Sequence, residues 1–172
     1  MSEPVKVKYS CVNPYVEARF LPALLNSVSD ASGHAGQVET GGILIGRYLT
    51  DGHTVVLEEA TEMPKDSQFG PTWFRRGQRG LEALLKDRWA RGLHYVGEWH
   101  SHPGGSPEPS SDDLAAMHRI ASDPLYRCPS PIMLIIGGEP PQRVSISLSV
   151  VTMHKYHRLQ YGVAMWPRNM RR

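Results

Sequence analysis

The residues best able to do chemistry in this chain crowd into GEWHSHPGGSPEPSSDDLAAM, residues 97–117. His100 and His102 sit two apart at the end of LHYVGEWHSH, which reads as a strand. Side chains two apart in a strand share a face, so both imidazoles project together and Ser101 points the other way. Pro103 ends the strand, and a Gly/Pro-rich loop turns the chain back. Ser110 or Ser111 then caps a helix over 111–122, with Asp112 and Asp113 in its first turn. From there Asp113 can reach the point the imidazoles face. Two neutral nitrogens and one carboxylate oxygen leave the fourth tetrahedral position open, the layout of a catalytic rather than a structural zinc.

The elements that must position these groups are legible as patterns. VKVKYSCV alternates as a short strand. Residues 15–28 carry apolar side chains at helical spacing, with Pro22 as a kink or a late start. DASGHAGQ reads as a polar loop, and VETGGILIGRYL as an apolar strand interrupted by Gly41 and Gly42. Asp51-Gly52 is a hairpin signal leading into a second strand. KDSQFGP reads as a loop, and the next helix as running from about Arg76 to Ala90 with a stop at Gly92. IMLIIGG is apolar throughout, so it is expected to be buried on both faces. RVSISLSVVTMHKY is a longer alternating strand, and RLQYGVAMW can add another. These patterns predict an α+β fold: a central, mostly antiparallel sheet flanked by two or three helices.

At 172 residues the chain is expected to form one domain over 1–172, with its core at about 7–160 and a basic tail at 166–172. The formal net charge of +2 is too small to argue for nucleic acid. No apolar run approaches the ~20 residues needed to span a bilayer, so no membrane partner is expected. MSEPVKVKYS holds no apolar stretch of the signal-peptide kind. Cys11 and Cys128 are far apart and no Cys-x-x-Cys occurs. The expectation is a cytoplasmic protein with both thiols reduced.

HSHPGGSPEPSSDD resembles the signature of the JAMM (MPN+) metallopeptidases: His-x-His-Pro, six residues, Ser-x-x-Asp, matched at His100, His102, Pro103, Ser110 and Asp113. VETGGILIG supplies Glu39 upstream, in a setting typical of that family. The resemblance spans essentially the whole chain and implies an MPN/JAMM domain of the cytidine-deaminase-like kind. It implies one zinc ion per chain held by His100, His102 and Asp113, with Glu39 as the proton-transferring base. Ser110 would donate to the developing oxyanion, although a helix-cap role alone also accounts for it. Asp112 breaks the Ser-x-x-Asp spacing and is read as a first-turn charge. By the same resemblance the substrate is a ubiquitin-like protein or its conjugate, cut after its C-terminal tail. The compact form and the GEWHSHP variant look most like bacterial members, some of which act in ubiquitin-like antiviral defence systems.

Two further features stay open at this level. Glu98 shares the strand face of His100 and His102; it is either a partner orienting a ligand imidazole or a paired surface charge. Trp73, Phe74, Arg75 and Arg76 either anchor the start of a helix or wall a groove in which an extended peptide lies. A zinc nucleoside deaminase is excluded, since RCPSP lacks the Pro-Cys-x-x-Cys of that class. The helical His-Glu-x-x-His of other zinc proteases is also absent. Two rival readings are a peptidase that processes a sulfur-carrier protein and a catalytically silent scaffold of the same fold.

Overall fold

The structure, a computed structural model, describes residues 7–162; the basic tail at 166–172 lies outside the described residues. Its elements run β1 (Val7–Val12), β2 (Tyr15–Phe20), α1 (Pro22–Ala35), β3 (Gly41–Tyr48), β4 (Thr54–Ala60), β5 (Gln68–Gly70) and β6 (Trp73–Arg75). Then come α2 (Leu81–Trp89), β7 (His94–Pro103), α3 (Ser111–Ser122), a 3-10 turn (Pro124–Tyr126), β8 (Ile132–Glu139), β9 (Arg143–Val151) and β10 (Tyr156–Tyr161).

The expected fold class needs correction. A central, mostly antiparallel sheet of the cytidine-deaminase-like kind, flanked by helices, is not what forms. Eight strands hydrogen-bond in the order β1-β10-β9-β8-β7-β3-β4-β2, and β2 returns to β1, so the sheet closes into a barrel. The barrel is mixed: β2 is parallel to β4 and β7 is parallel to β8. Closure comes from β1 lying between β2 and β10, with Tyr9 opposite both Ala18 and Tyr161. An open sheet would leave two strands with unpaired backbone groups, and closure removes both edges. Alternation along a strand marks its apolar face but not its neighbours, which is why the pattern alone missed this.

Three local boundaries also differ. Residues 15–20 form β2 rather than a helix; α1 starts at Pro22, where the missing N–H is harmless. It then runs through most of DASGHAGQ to Ala35. The helix expected from Arg76 is α2 and begins at Leu81. The KDSQFGP loop instead contains β5, which forms a hairpin with β6.

Two apolar clusters hold the molecule together. Inside the barrel, Phe20, Leu44, Val96, Trp99, Ile132, Leu134, Ile136 and Leu148 pack with Leu24 and Val28 of α1. Outside, Ile43, Ile45, Tyr95, Met133 and Ile135 pack against Met117 and Ile120 of α3 and partly buried leucines of α2. β8 feeds both clusters with alternate residues, which accounts for its wholly apolar run. β7 carries a bulge: Leu44 pairs with Gly97 and Ile45 with Tyr95. A Cβ at Gly97 would lie 1.9 Å from the Ile132 carbonyl oxygen, so only glycine fits there. Beyond the bulge Trp99 points into the barrel while Glu98, His100 and His102 face outward, toward α3.

Candidate functional site

The parallel pairing of β7 with β8 carries β7 on through Pro103, so His102 and His100 end a rigid, doubly paired strand. The chain then turns through Gly104 and Gly105 and enters α3. Ser110 and Asp113 form a reciprocal capping box. The Ser110 hydroxyl accepts from the Asp113 N–H at 3.1 Å, and the Ser110 N–H donates to Asp113 Oδ2 at 2.7 Å. The Ser110 hydroxyl also donates to Oδ2 at 2.7 Å. Helix capping thus aims the carboxylate at the strand end.

There the side chains converge. His100 Nε2 lies 3.1 Å from His102 Nε2 and 3.2 Å from Asp113 Oδ1, and His102 Nε2 lies 3.5 Å from Oδ2. One ligating atom from each of the three falls within 4.8 Å of the others. His102 Nδ1 sits 2.9 Å from the Ser106 carbonyl oxygen. Only a ring N–H pairs with a carbonyl, so that contact assigns the hydrogen to Nδ1 and leaves the neutral ring's Nε2 lone pair aimed at its neighbours. Burial works to raise the Asp113 carboxyl, but the His100 and His102 imidazoles beside it hold it well below the usual carboxylate range. The Asp113 carboxylate beside it raises His102 against burial. Two imidazole nitrogens, one ionised carboxylate and a fixed tautomer form a donor set that fits a metal ion.

Glu39 arrives two residues before the adjacent strand, β3. Gly41 pairs with His100, and the Ser101 N–H donates to the Thr40 carbonyl at 2.8 Å. Continuing that antiparallel register sets Glu39 opposite His102. Glu39 is 6% exposed, and burial raises its carboxyl above the ordinary glutamate value, opposed by the nearby His102 and His100. Its N–H donates to the Gly70 carbonyl at 2.9 Å, which docks the β5–β6 hairpin onto the same strand.

A groove of about 910 Å³ joins these groups, lined by Glu39, Glu98, His100, His102, Ser110, Asp112 and Asp113 and walled by Trp73, Phe74, Arg75 and Arg76. Trp73 is half exposed. Arg76 is sequestered: its Nε donates to Glu98 Oε1 at 2.9 Å and its Nη2 to the Tyr126 hydroxyl at 3.1 Å. Glu98 also accepts from the Tyr95 hydroxyl at 3.2 Å. No hydrogen bond joins Glu98 to either imidazole among the described residues. Ser106, Tyr95 and Tyr126 were not singled out by sequence reasoning. Only the Ser106 position carried a usable signal, in the tight GGSPEP turn that returns a carbonyl beneath His102.

Paired histidines at a strand end and an aspartate at a helix start can be set beside the comparison by family. Residues 22–149 match the model of prokaryotic homologs of the JAB domain, and the chain belongs to that family. A CD-NTase/cGAS isopeptidase of Enterobacter hormaechei subsp. hoffmannii is 56% identical over 116 residues, 67% of this chain and 64% of the relative. A probable metalloprotease of Sinorhizobium fredii is 30% identical over 113 residues, 60% of this chain and 65% of that protein. The chain spans just under two thirds of the length of these curated relatives. A solution structure of a Desulfitobacterium hafniense protein superposes with a TM-score of 0.63 at 23% identity, covering 81% of this chain and 87% of the other. That likeness concerns the fold alone. No helix among the described residues is long and apolar enough to cross a membrane.

Proposed function

We propose that this chain is a zinc-dependent peptidase that hydrolyses the amide bond after the C-terminal tail of a ubiquitin-like protein. The bond is either an isopeptide to a target lysine or the peptide bond of a precursor. The observation that carries this reading is the convergence of His100 Nε2, His102 Nε2 and Asp113 Oδ1 in one groove, with buried Glu39 just ahead of the neighbouring strand. His100, His102 and Asp113 hold the ion in this reading. Bound zinc supplies Lewis acidity, polarising a carbonyl and bringing the pKa of its water to about 7.

The protein's own residues do the rest. The Glu39 carboxylate accepts the water's proton and returns it to the departing amine; burial has already raised its affinity for that proton. The Ser110 hydroxyl lies beside the groove and turns from Asp113 Oδ2 to the developing oxyanion, while its backbone N–H keeps the cap. The Glu98–Arg76 pair holds the hairpin wall, and an extended tail lies between that wall and α3. The names of the curated relatives make conjugates of CD-NTase/cGAS proteins the first substrates to try. We place the reaction in a bacterial ubiquitin-like conjugation and defence system.

Metal analysis of the purified protein tests this, together with trapping by Glu39→Gln. The expected result is about one zinc per chain in wild type and Glu39→Gln, with the variant retaining an uncleaved conjugate or extended precursor. A folded protein that takes up no stoichiometric zinc, and cleaves nothing when zinc is added, would sink the reading in favour of a silent scaffold. Capture of a sulfur-carrier protein instead would change the substrate but keep the chemistry.

A further inference from the structure

A second groove of about 530 Å³ meets the catalytic one at Tyr126, which lines both. Its walls are Tyr48 of β3, Leu85 and Trp89 of α2 and Leu125 of the 3-10 turn. Leu125 is 88% exposed and Trp89 is 58% exposed. Neither large apolar side chain contributes to a core, but the Trp89 ring and the Leu125 backbone are each held in place. The Trp89 ring sits edge-on against His94, centroids 4.5 Å apart, and the Leu125 N–H donates to Asp123 Oδ1 at 2.9 Å. A preformed apolar patch of this kind is the signature of an interaction surface.

Its charge indicates what it binds. Lys86 and Arg127 line the groove, and no carboxylate does. Neither forms an ion pair or side-chain hydrogen bond among the described residues. Arg127 also holds a left-handed backbone, φ 50°, where glycine or asparagine is the usual residue. Two free cations therefore flank an exposed aromatic and an exposed leucine. The chain's own last residues, WPRNMRR, carry the same sign of charge and do not complement the groove.

We propose that this groove docks an acidic segment of a protein partner. A bulky apolar side chain of that segment inserts between Trp89 and Leu125, and its carboxylates pair with Lys86 and Arg127. A protein held there lies beside the catalytic groove, so its chain can pass Tyr126 toward His100. The proposal does not rest on the hydrolytic reading, because its test reads binding alone.

The test selects a random displayed peptide library on the whole 172-residue chain, with counter-selection on Lys86→Glu/Arg127→Glu. These exposed positions leave both cores untouched. The expected winners carry leucine, phenylalanine or tryptophan flanked by aspartate or glutamate. The best one, made as a fluorescein-labelled peptide, should bind saturably and lose about tenfold in affinity or more in the double variant. Leu125→Asp should weaken it too, and a lysine-flanked counterpart should prefer the double variant. Glu39→Gln should bind the peptide like wild type. The proposal is overturned by the absence of any enriched motif, by neutral or basic winners, or by affinity that ignores the charge reversal. Concentration-dependent dimerisation lost in the same variants would overturn it in favour of a second copy of this chain.

Discussion

Arg76 and Glu98 form an ion pair, 2.7 Å from Nη2 to Oε1, with the two side chains 9% and 16% exposed. Glu98 stands two residues before His100, and Arg76 follows directly on β6. The pair therefore ties the hairpin wall of the groove to the strand carrying both histidines. With the Tyr95 and Tyr126 hydroxyls it forms a closed polar knot in an otherwise apolar layer. Removing one partner leaves the other charge buried and uncompensated. Arg76→Met and Glu98→Gln should each cost about 3 kcal/mol of stability, and the double variant less than the sum. Urea denaturation checks this. Additive costs would show that the two side chains do not act together.

Glu39 is buried at a cost to the fold. Its carboxyl is raised in the folded state, so the ionised form is disfavoured there relative to the unfolded chain. That penalty is full above the folded pKa and vanishes as pH falls below the unfolded value of about 4.3. Metal-free Glu39→Gln should therefore be more stable than wild type at neutral pH, with the gap closing toward pH 4. Its activity should fall about 10²- to 10⁴-fold. Thermal melts across pH with chelator present, beside a pH–rate profile, read both.

Ser110 caps α3, and substitutions can separate that cap from the oxyanion role proposed for its hydroxyl. Ser110→Ala removes the cap and should cost about 1 kcal/mol, whereas Ser110→Gly retains most cap stability and costs only a few tenths. Both lack the hydroxyl. If Ser110 donates to the oxyanion, both should lose about 10²- to 10³-fold in kcat with little change in KM. A glycine variant with full turnover would leave the residue as a cap alone.

At Gly41 three elements meet. A Cβ there would lie 2.4 Å from the Trp99 carbonyl oxygen, 2.7 Å from Phe74 Cε1 and 2.9 Å from His100 Cβ. Gly41→Ala must push β3 from β7 and displace the hairpin, so it should cost about 2 kcal/mol and more activity than stability. The readouts are zinc content and KM. A variant with wild-type values for both would show that the strand pair yields more easily than its contacts imply.

The chemistry was legible in the sequence because it is local. Strand period two sets His100 beside His102, and the Ser-x-x-Asp spacing of a helix start builds the box that aims Asp113. The double-sided burial of IMLIIGG, the hairpin at Asp51-Gly52 and the limits of α3 follow from equally short patterns. Barrel closure is not local. It depends on β1 meeting β10 and on the parallel pairs β2–β4 and β7–β8, and alternation of residue type carries no record of which strand lies alongside which. The same limit hid the Glu98–Arg76 pair, whose partners are 22 residues apart, and the β5–β6 hairpin, whose short strands have no periodic signal. The residues that meet in the candidate site lie close along the chain, apart from Glu39, and were legible in the sequence itself. The neighbours that hold those residues, and the walls that choose what enters, were decided only by packing across the barrel, where contact is set by distance in space rather than along the chain.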